Sequence, residues 1–176
     1  MSEPPHSPSR APRWLPLVVV AWAVGTAGAF WALALKDRHA LDPAALAARF
    51  DAARTAPLAE AWLRAHATRP AHATVVHVVP EHCSCTGAAD RHARDLEARY
   101  RGRAVAFLSA RPDWVRAAPA ALVFDDGGAL VYFGPYSDEA DCGTSGGFVE
   151  QTLDQLLAGH PVHAPRPLGI GCLCLT

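Results

Sequence analysis

The sequence predicts an α/β fold, a central mixed sheet flanked by helices and preceded by one N-terminal transmembrane helix. An uncharged apolar run near the N-terminus predicts the transmembrane helix. A β-branched run that ends in a proline and passes at once into Cys83-Ser84-Cys85 and a helical pattern predicts the α/β core, and a strong hairpin signal completes it. The 176 residues suffice for one domain with appendages and fall short of two.

No charge occurs from Trp14 to Leu35, a run bounded by Arg13 and Lys36. At a helical rise of about 1.5 Å per residue it reaches roughly 33 Å, the depth of a bilayer's hydrocarbon core. Trp14 and Trp31 fall near its ends, where amphipathic aromatics settle at the lipid–water boundary. No polar face interrupts it, as a helix packed on a soluble core would require. The alternative is a cleaved secretory leader with Ala32-Leu33-Ala34 as its cleavage site. Leader apolar regions run to only about 7–15 residues, so an uncleaved anchor is favoured. Arg10 and Arg13 on one side face Lys36 and Arg38 on the other, so charge bias does not orient the helix. A short N-terminus kept inside with the domain exported is the commoner arrangement, and the cysteine usage agrees with an oxidising compartment. Residues 1–13, rich in Pro and Ser, are expected to form a disordered stub.

Residues 36–69 are expected to form a helical connector. Asp42 and Pro43 make a helix start, an N-cap followed by proline, with Leu46 and Phe50 on one face. A second short helix after Pro57 is predicted from Leu58, Trp62 and Leu63. The domain proper spans 70–160. It opens with Ala73-Thr74-Val75-Val76-His77-Val78-Val79, nearly continuous in its apolarity, as in a strand buried on both faces, and Pro80 ends it. A helix follows over residues 86–100, with Ala89, His92, Ala93, Leu96 and Tyr100 on one face and Asp90–Arg94 and Arg91–Asp95 paired on the other. Gly102 is placed to end it, and residues 104–109 supply the next strand, closing a parallel unit. Residues 120–125 and 129–133 flank Asp126-Gly127-Gly128 as a hairpin. A loop rich in Gly, Ser and Asp, containing Cys142, leads to a last helix between Gly147 and Gly159 that buries Phe148, Val149, Leu153, Leu156 and Leu157. Residues 161–176 show no periodicity and form a cysteine-containing tail.

Sixteen basic residues stand against 17 acidic ones, with no basic cluster interleaved with aromatics, which excludes nucleic acid as a partner. No phosphate loop, serine elbow, nucleotide fingerprint or hydrolytic carboxylate pair is present. The five cysteines fall as Cys83-Ser84-Cys85, Cys142 and Cys172-Leu173-Cys174. An odd, clustered count is unlike a disulfide scaffold and points to redox or metal chemistry. Cys83 and Cys85 fall at a helix start, whose positive end lowers a thiol's pKa and makes the thiolate nucleophilic; a protonated His82 adds to that effect. In the redox reading Cys83 attacks a disulfide and Cys85 resolves the mixed disulfide. The partners are then protein thiols or disulfides, and no cofactor is needed. The alternative, a structural bridge, is disfavoured by the position between a central strand and a helix. For Cys172 and Cys174 two readings stand: a second redox pair that reaches back to the first, or a structural pin to Cys142. Cys142 itself pairs with either tail cysteine or remains a thiol. The metal alternative gathers Cys83, Cys85, Cys172 and Cys174 beside His82 as a Cu(I) site, because thiolates suit soft ions, and makes the chain a copper-binding protein or metallochaperone without reductase activity. A single residue between ligands argues against an ordinary structural zinc site. His77 and His92 are expected to be satisfied core residues, His160 and His163 to be exposed, and Tyr132, Phe133 and Tyr136 to pack the hairpin.

The order strand, cysteine pair at a helix start, strand, Ala118-Pro119, hairpin, helix resembles the thioredoxin-like superfamily over residues 70–160. The resemblance implies that Pro119 is cis, lies against the redox cysteines and shapes the groove that holds the partner chain. The N-terminal anchor, Cys-x-Cys, Phe133-Gly134-Pro135-Tyr136 and Gly171-Cys172-Leu173-Cys174 together resemble a bacterial family of membrane-anchored thioredoxin-like proteins, domain of unknown function 6436. That resemblance carries no activity with it; the anchor and the cysteine usage lead to the expectation of a single-pass protein of the bacterial inner membrane whose domain faces the periplasm, and the Cys-x-Cys site at a helix start to that of thiol–disulfide exchange. Where the superfamily has Cys-x-x-Cys, only Ser84 separates Cys83 from Cys85. A bridge closed over one residue is more strained and more easily reduced.

Overall fold

The computed structural model describes residues 13–35, 38–41, 44, 50–67, 71–137, 147–162, 169–172 and 174–175. The helix start at Asp42-Pro43, Leu46, Cys142, His163 and nearly all of the N-terminal stub lie outside them. The chain divides into two compact units, Met1–Lys36 and Asp37–Thr176.

In the first unit α1 (Leu15–Phe30) continues as a π-helical turn over Trp31–Leu35. Pro16 sits in the first turn, where its missing N–H has no intrahelical acceptor to lose. None of the helix's residues is buried, and Leu15–Leu33 is long and apolar enough to cross a membrane. At about 1.5 Å per residue those 19 residues span roughly 28 Å.

Among the described residues the second unit comprises β1 (Arg38–Leu41), α2 (Ala52–His66), β2 (Ala73–Val78), α3 (Thr86–Arg99), β3 (Val105–Ser109), β4 (Ala117–Ala118), β5 (Ala120–Asp125), β6 (Leu130–Gly134), α4 (Phe148–Leu157), β7 (Gly169–Cys172) and β8 (Cys174–Leu175). The central sheet has the order β3-β2-β5-β6: β2 runs parallel to β3 and antiparallel to β5, and β5 antiparallel to β6. The expected parallel unit and hairpin are both present. All six residues of β2 are buried, because its two faces meet two separate cores. Val76 and Val78 pack with Ala59 and Leu63 of α2, Leu122, Phe124 and Phe133. Ala73 and Val75 pack with Ala89 and Leu96 of α3 and with Phe148, Val149 and Leu153 of α4. The β5–β6 turn closes through Gly128, whose φ of +79° is the left-handed conformation that glycine adopts freely. There the Gly128 N–H donates to the Asp125 carbonyl at 3.1 Å, and the Ala129 N–H to Asp125 Oδ1 at 2.8 Å.

Three expectations about element placement are corrected. The connector is not wholly helical: Arg38–Leu41 is a strand, with backbone partners in β7. Pro57 lies inside α2 instead of before it, because Asp51 caps the helix earlier, its carboxylate accepting from the Arg54 N–H at 3.0 Å. Burial of Ala59 and Leu63 offsets the one backbone bond that Pro57 cannot donate, while Leu58 is exposed. The tail is not without structure: β7 pairs antiparallel with β1, and β8 antiparallel with β4.

Candidate functional site

β2 delivers the chain to Pro80, a bend at Glu81-His82, and the turn that carries the cysteines into α3. This loop is fastened from both sides. The Thr86 hydroxyl donates to the Pro80 carbonyl at 2.6 Å, and the Thr86 N–H to the Cys83 carbonyl at 3.1 Å. Arg111 donates to the Val79 carbonyl at 3.2 Å and sits 3.4 Å from Glu81 at the surface, tying in the segment after β3. Cys85 takes the N-cap position of α3 and is buried, Cys83 is half-buried, and His82 is exposed.

On the other side of the site stands β4, followed by the cis peptide Ala118–Pro119. Its Ala117 and Ala118 are each 1% exposed. The tail strand β8 lies along it, with Ala118 opposite Cys174 and Ala117 opposite Leu175. Cys174 is disulfide-bonded to Cys83, 91 residues away in sequence and 6.0 Å away between α-carbons. Cys85 is also disulfide-bonded. The sulfurs of Cys83, Cys85 and Cys174 lie within 4.8 Å of one another.

The structure thus brings together Cys83, Cys85 and Cys174 and sets the Cys174 strand against the residue preceding Pro119. The partner of Cys83 is Cys174, whereas the redox reading gave that role to Cys85 and the structural reading pinned the tail to Cys142. Two physical facts explain the choice. Cys85 is drawn into the helical conformation and the interior, and the β4–β8 register sets Cys174 beside half-buried Cys83. Cys172 ends β7, and a single residue separates it from the start of β8.

A buried polar network that sequence reasoning missed lies on the face of the sheet that α3 and α4 cover. The Tyr136 hydroxyl and His77 Nδ1 share a 2.7 Å hydrogen bond, and His77 Nε2 is buried without a hydrogen-bond partner. Burial, assisted by positive charge on His92, depresses the His77 pKa to about 4. His92 Nε2 lies 3.1 Å from Glu150 Oε1 in a bent contact, both side chains almost wholly buried. Burial pushes the Glu150 carboxyl up, but the hydrogen bond and charge of His92 outweigh it and hold the group below its ordinary value. Gly147 is sterically required here: a Cβ would fall 2.6 Å from the Tyr136 carbonyl oxygen and 2.8 Å from Glu150 Oε2. The only sequence signal for this network was the pair of histidines on inward faces. Glu150, in the exposed-looking first turn of a helix, gave none.

Residues 53–176 match the family described as Domain of unknown function (DUF6436). No curated protein matches the chain. An uncharacterized conserved protein from Geobacillus kaustophilus is similar in structure, at 17% identity and a TM-score of 0.48, over 60% of this chain and 76% of that one. So is a hypothetical protein from Sinorhizobium meliloti, at 14% identity and a TM-score of 0.49, over 60% and 79% of the two chains.

Proposed function

The chain belongs to the DUF6436 family, the match spanning the whole cysteine cluster, and from the geometry of that cluster we propose that it is a membrane-anchored thiol–disulfide exchange protein on a thioredoxin-like frame. The half-buried Cys83–Cys174 bond carries this reading: it sits at the start of α3 and against a strand edge, where a partner's sulfur can reach it. Support for the frame comes from the strand–cysteine–helix order, the mixed sheet and the cis Ala118–Pro119 peptide. The apolar α1 supports retention as an inner-membrane anchor over residues 14–35, and the oxidised cysteines suit a periplasmic domain.

A thiolate of a client dithiol attacks the Cys83 sulfur, the Cys83–Cys174 bond breaks, and Cys174 leaves as a thiolate. The client's second thiolate then attacks its own sulfur in the mixed disulfide and releases Cys83. The client loses two electrons and becomes a disulfide, the protein gains them as a dithiol, and the protons exchange with water. Reduced protein runs the same steps backwards, with the direction set by the relative potentials. The positive end of α3 stabilises the Cys83 thiolate as it departs. Cys85, buried and itself disulfide-bonded, is not the sulfur that meets the client.

Three sulfurs within 4.8 Å of one another also favour a second reading, capture of Cu(I) by the reduced site, since a metal–thiolate bond is about 2.3 Å long. One experiment separates the two. The full chain in detergent micelles is reduced, freed of reductant, and offered either oxidised glutathione or Cu(I). Exchange predicts two glutathiones released per Cys83–Cys174 bond regained, and none at that pair in Cys83→Ser. Stoichiometric Cu(I), lost in Cys83→Ser and unaccompanied by any Cys83-dependent glutathione release, would overturn exchange in favour of metal handling.

A further inference from the structure

The two outer strands of the central sheet, β3 and β6, are finished differently. At β6 the ladder with β5 is irregular between Val123 and Phe124, and the Glu60 carboxylate accepts from the Leu130 N–H at 3.2 Å. Tyr132, Phe133 and Gly134 are buried, and Pro135 follows at once. A bulge, a carboxylate and a proline are devices that keep a sheet edge from pairing with another chain. β3 has none of them. It reads Val105-Ala106-Phe107-Leu108-Ser109, without charge or proline and in unbroken register with β2. Its four apolar side chains are only half-buried, Ser109 is exposed, and among the described residues no strand pairs with its outer side. We propose that a second copy of this chain pairs there, β3 against β3, antiparallel and centred on Phe107, joining the two four-stranded sheets into one.

The strand's own symmetry selects a second copy as its partner. In a parallel ladder alternate residues turn their N–H and C=O toward the neighbouring strand. The Ala110 N–H donates to the His77 carbonyl at 3.0 Å, so the even-numbered residues of β3 face β2, while Val105, Phe107 and Ser109 present their backbone groups outward. A two-fold axis at Phe107 sets Phe107 opposite Phe107 of the other copy and Val105 opposite its Ser109, so every outward group meets an outward group. A shift of one residue would oppose outward groups to inward ones, and a shift of two would lose a pair. Each Phe107 ring lies against the His77 ring on its inner side, centroids 5.6 Å apart, and meets the other Phe107 across the axis. On the opposite face Ala106 meets Leu108, so the pairing covers apolar side chains that one chain leaves half-exposed. Charge does not oppose it. Arg103 and Arg111, which flank the strand, lie 3.7 Å from Asp154 and 3.4 Å from Glu81 of their own chain. A five-residue pairing buries less than the roughly 1,200–2,000 Å² of a free-standing complex. It therefore forms where copies are concentrated, and the anchor of the reading above supplies that by confining them to one bilayer. The inference takes only the anchor from that reading and none of the thiol chemistry.

The test uses the full chain in phosphatidylcholine vesicles. Chains carrying Phe107→p-benzoylphenylalanine are mixed with wild type labelled in heavy nitrogen and illuminated, and the adducts are mapped by peptide mass spectrometry. Pairing predicts a two-chain adduct that joins the light probe to residues 105–109 of the heavy chain. Ser109→Pro in both chains removes an outward N–H that β2 does not use and should lower the adduct yield about tenfold. Ser109→Ala keeps that N–H and should change the yield less than about twofold. Energy transfer between copies labelled at the N-terminal amine reads association without any substitution at 107, and should fall in Ser109→Pro and hold in Ser109→Ala. An adduct within one chain, which would show the edge covered by the chain's own residues, or one that maps outside residues 105–109, would overturn the pairing. So would equal yields and equal energy transfer in the two Ser109 variants. Extraction of the chain from the vesicles by alkaline carbonate would instead bring down the anchor reading, and this inference with it.

Discussion

Acidification offers a direct measure of how tightly the frame behind the thiol site is closed. His77 is 1% exposed, lies six residues before Cys83 on β2, and pairs in register with Ser109 of β3 and Ala121 of β5. The groups facing it are the Tyr136 hydroxyl, the Phe107 ring and, through Tyr136, the His92–Glu150 pair. Its pKa falls from 6.5 to about 4 in the folded chain. A depressed histidine stabilises the fold fully above its unfolded pKa, and that contribution is lost as pH falls toward the folded value, because the unfolded chain takes up the proton first. Between pH 6.5 and 4 the full effect is about 3.4 kcal/mol, of which about 2 kcal/mol is gone at pH 5. His77→Gln keeps an acceptor for the Tyr136 hydroxyl and does not titrate. Urea unfolding, followed by the fluorescence of Trp62 and Trp114, should show wild type losing about 2 kcal/mol more than His77→Gln between pH 7 and pH 5. Equal losses in the two proteins would refute the closure of this region around a neutral His77.

The neighbouring pair responds differently. Glu150→Gln leaves His92 in the interior without its anion and should lower stability at pH 7 by about 3 kcal/mol, read from the shift in urea midpoint at unchanged slope. The Cys83–Cys174 bond closes a loop across 91 residues, for which chain entropy gives about 4.6 kcal/mol at 25 °C. Dithiothreitol should therefore lower the melting temperature of the cysteine-bearing unit by more than about 8 °C, and an unmoved transition would show that the loop is not closed in solution.

The parts of this fold that were legible in the sequence are those whose own side chains decide their structure. β2 announces itself because both its faces are buried and its apolarity is continuous, and the β5–β6 turn because Gly128 must adopt a positive φ. α3 and α4 follow from their inward-facing rows and from the break at Gly102. The parts that were not legible take their form from a distant partner. β1, β7 and β8 are two to four residues long, too short for alternation to register, and each is a strand only because another edge lies alongside. The same holds for the bond at the site. Spacing placed Cys83 and Cys85 at a helix start, but the choice of Cys174 as partner is fixed by the β4–β8 register, which no local pattern encodes. Glu150 became part of a buried pair only when α4 packed against α3 and met His92.

Cys83 is held by bonds that involve no sulfur: Thr86 to Pro80 on one side and Arg111 to Val79 on the other. β4 is held in turn by a core that includes Leu63, Phe124 and Phe133. Among the described elements that meet at the site, β8 is the most weakly held by its backbone, because only two of its residues pair with β4. Reduction can therefore move the tail without opening either core. A change confined to that one weakly held strand leaves the Cys83 loop and the start of α3 in fixed positions, which is what the proposed exchange requires of its site.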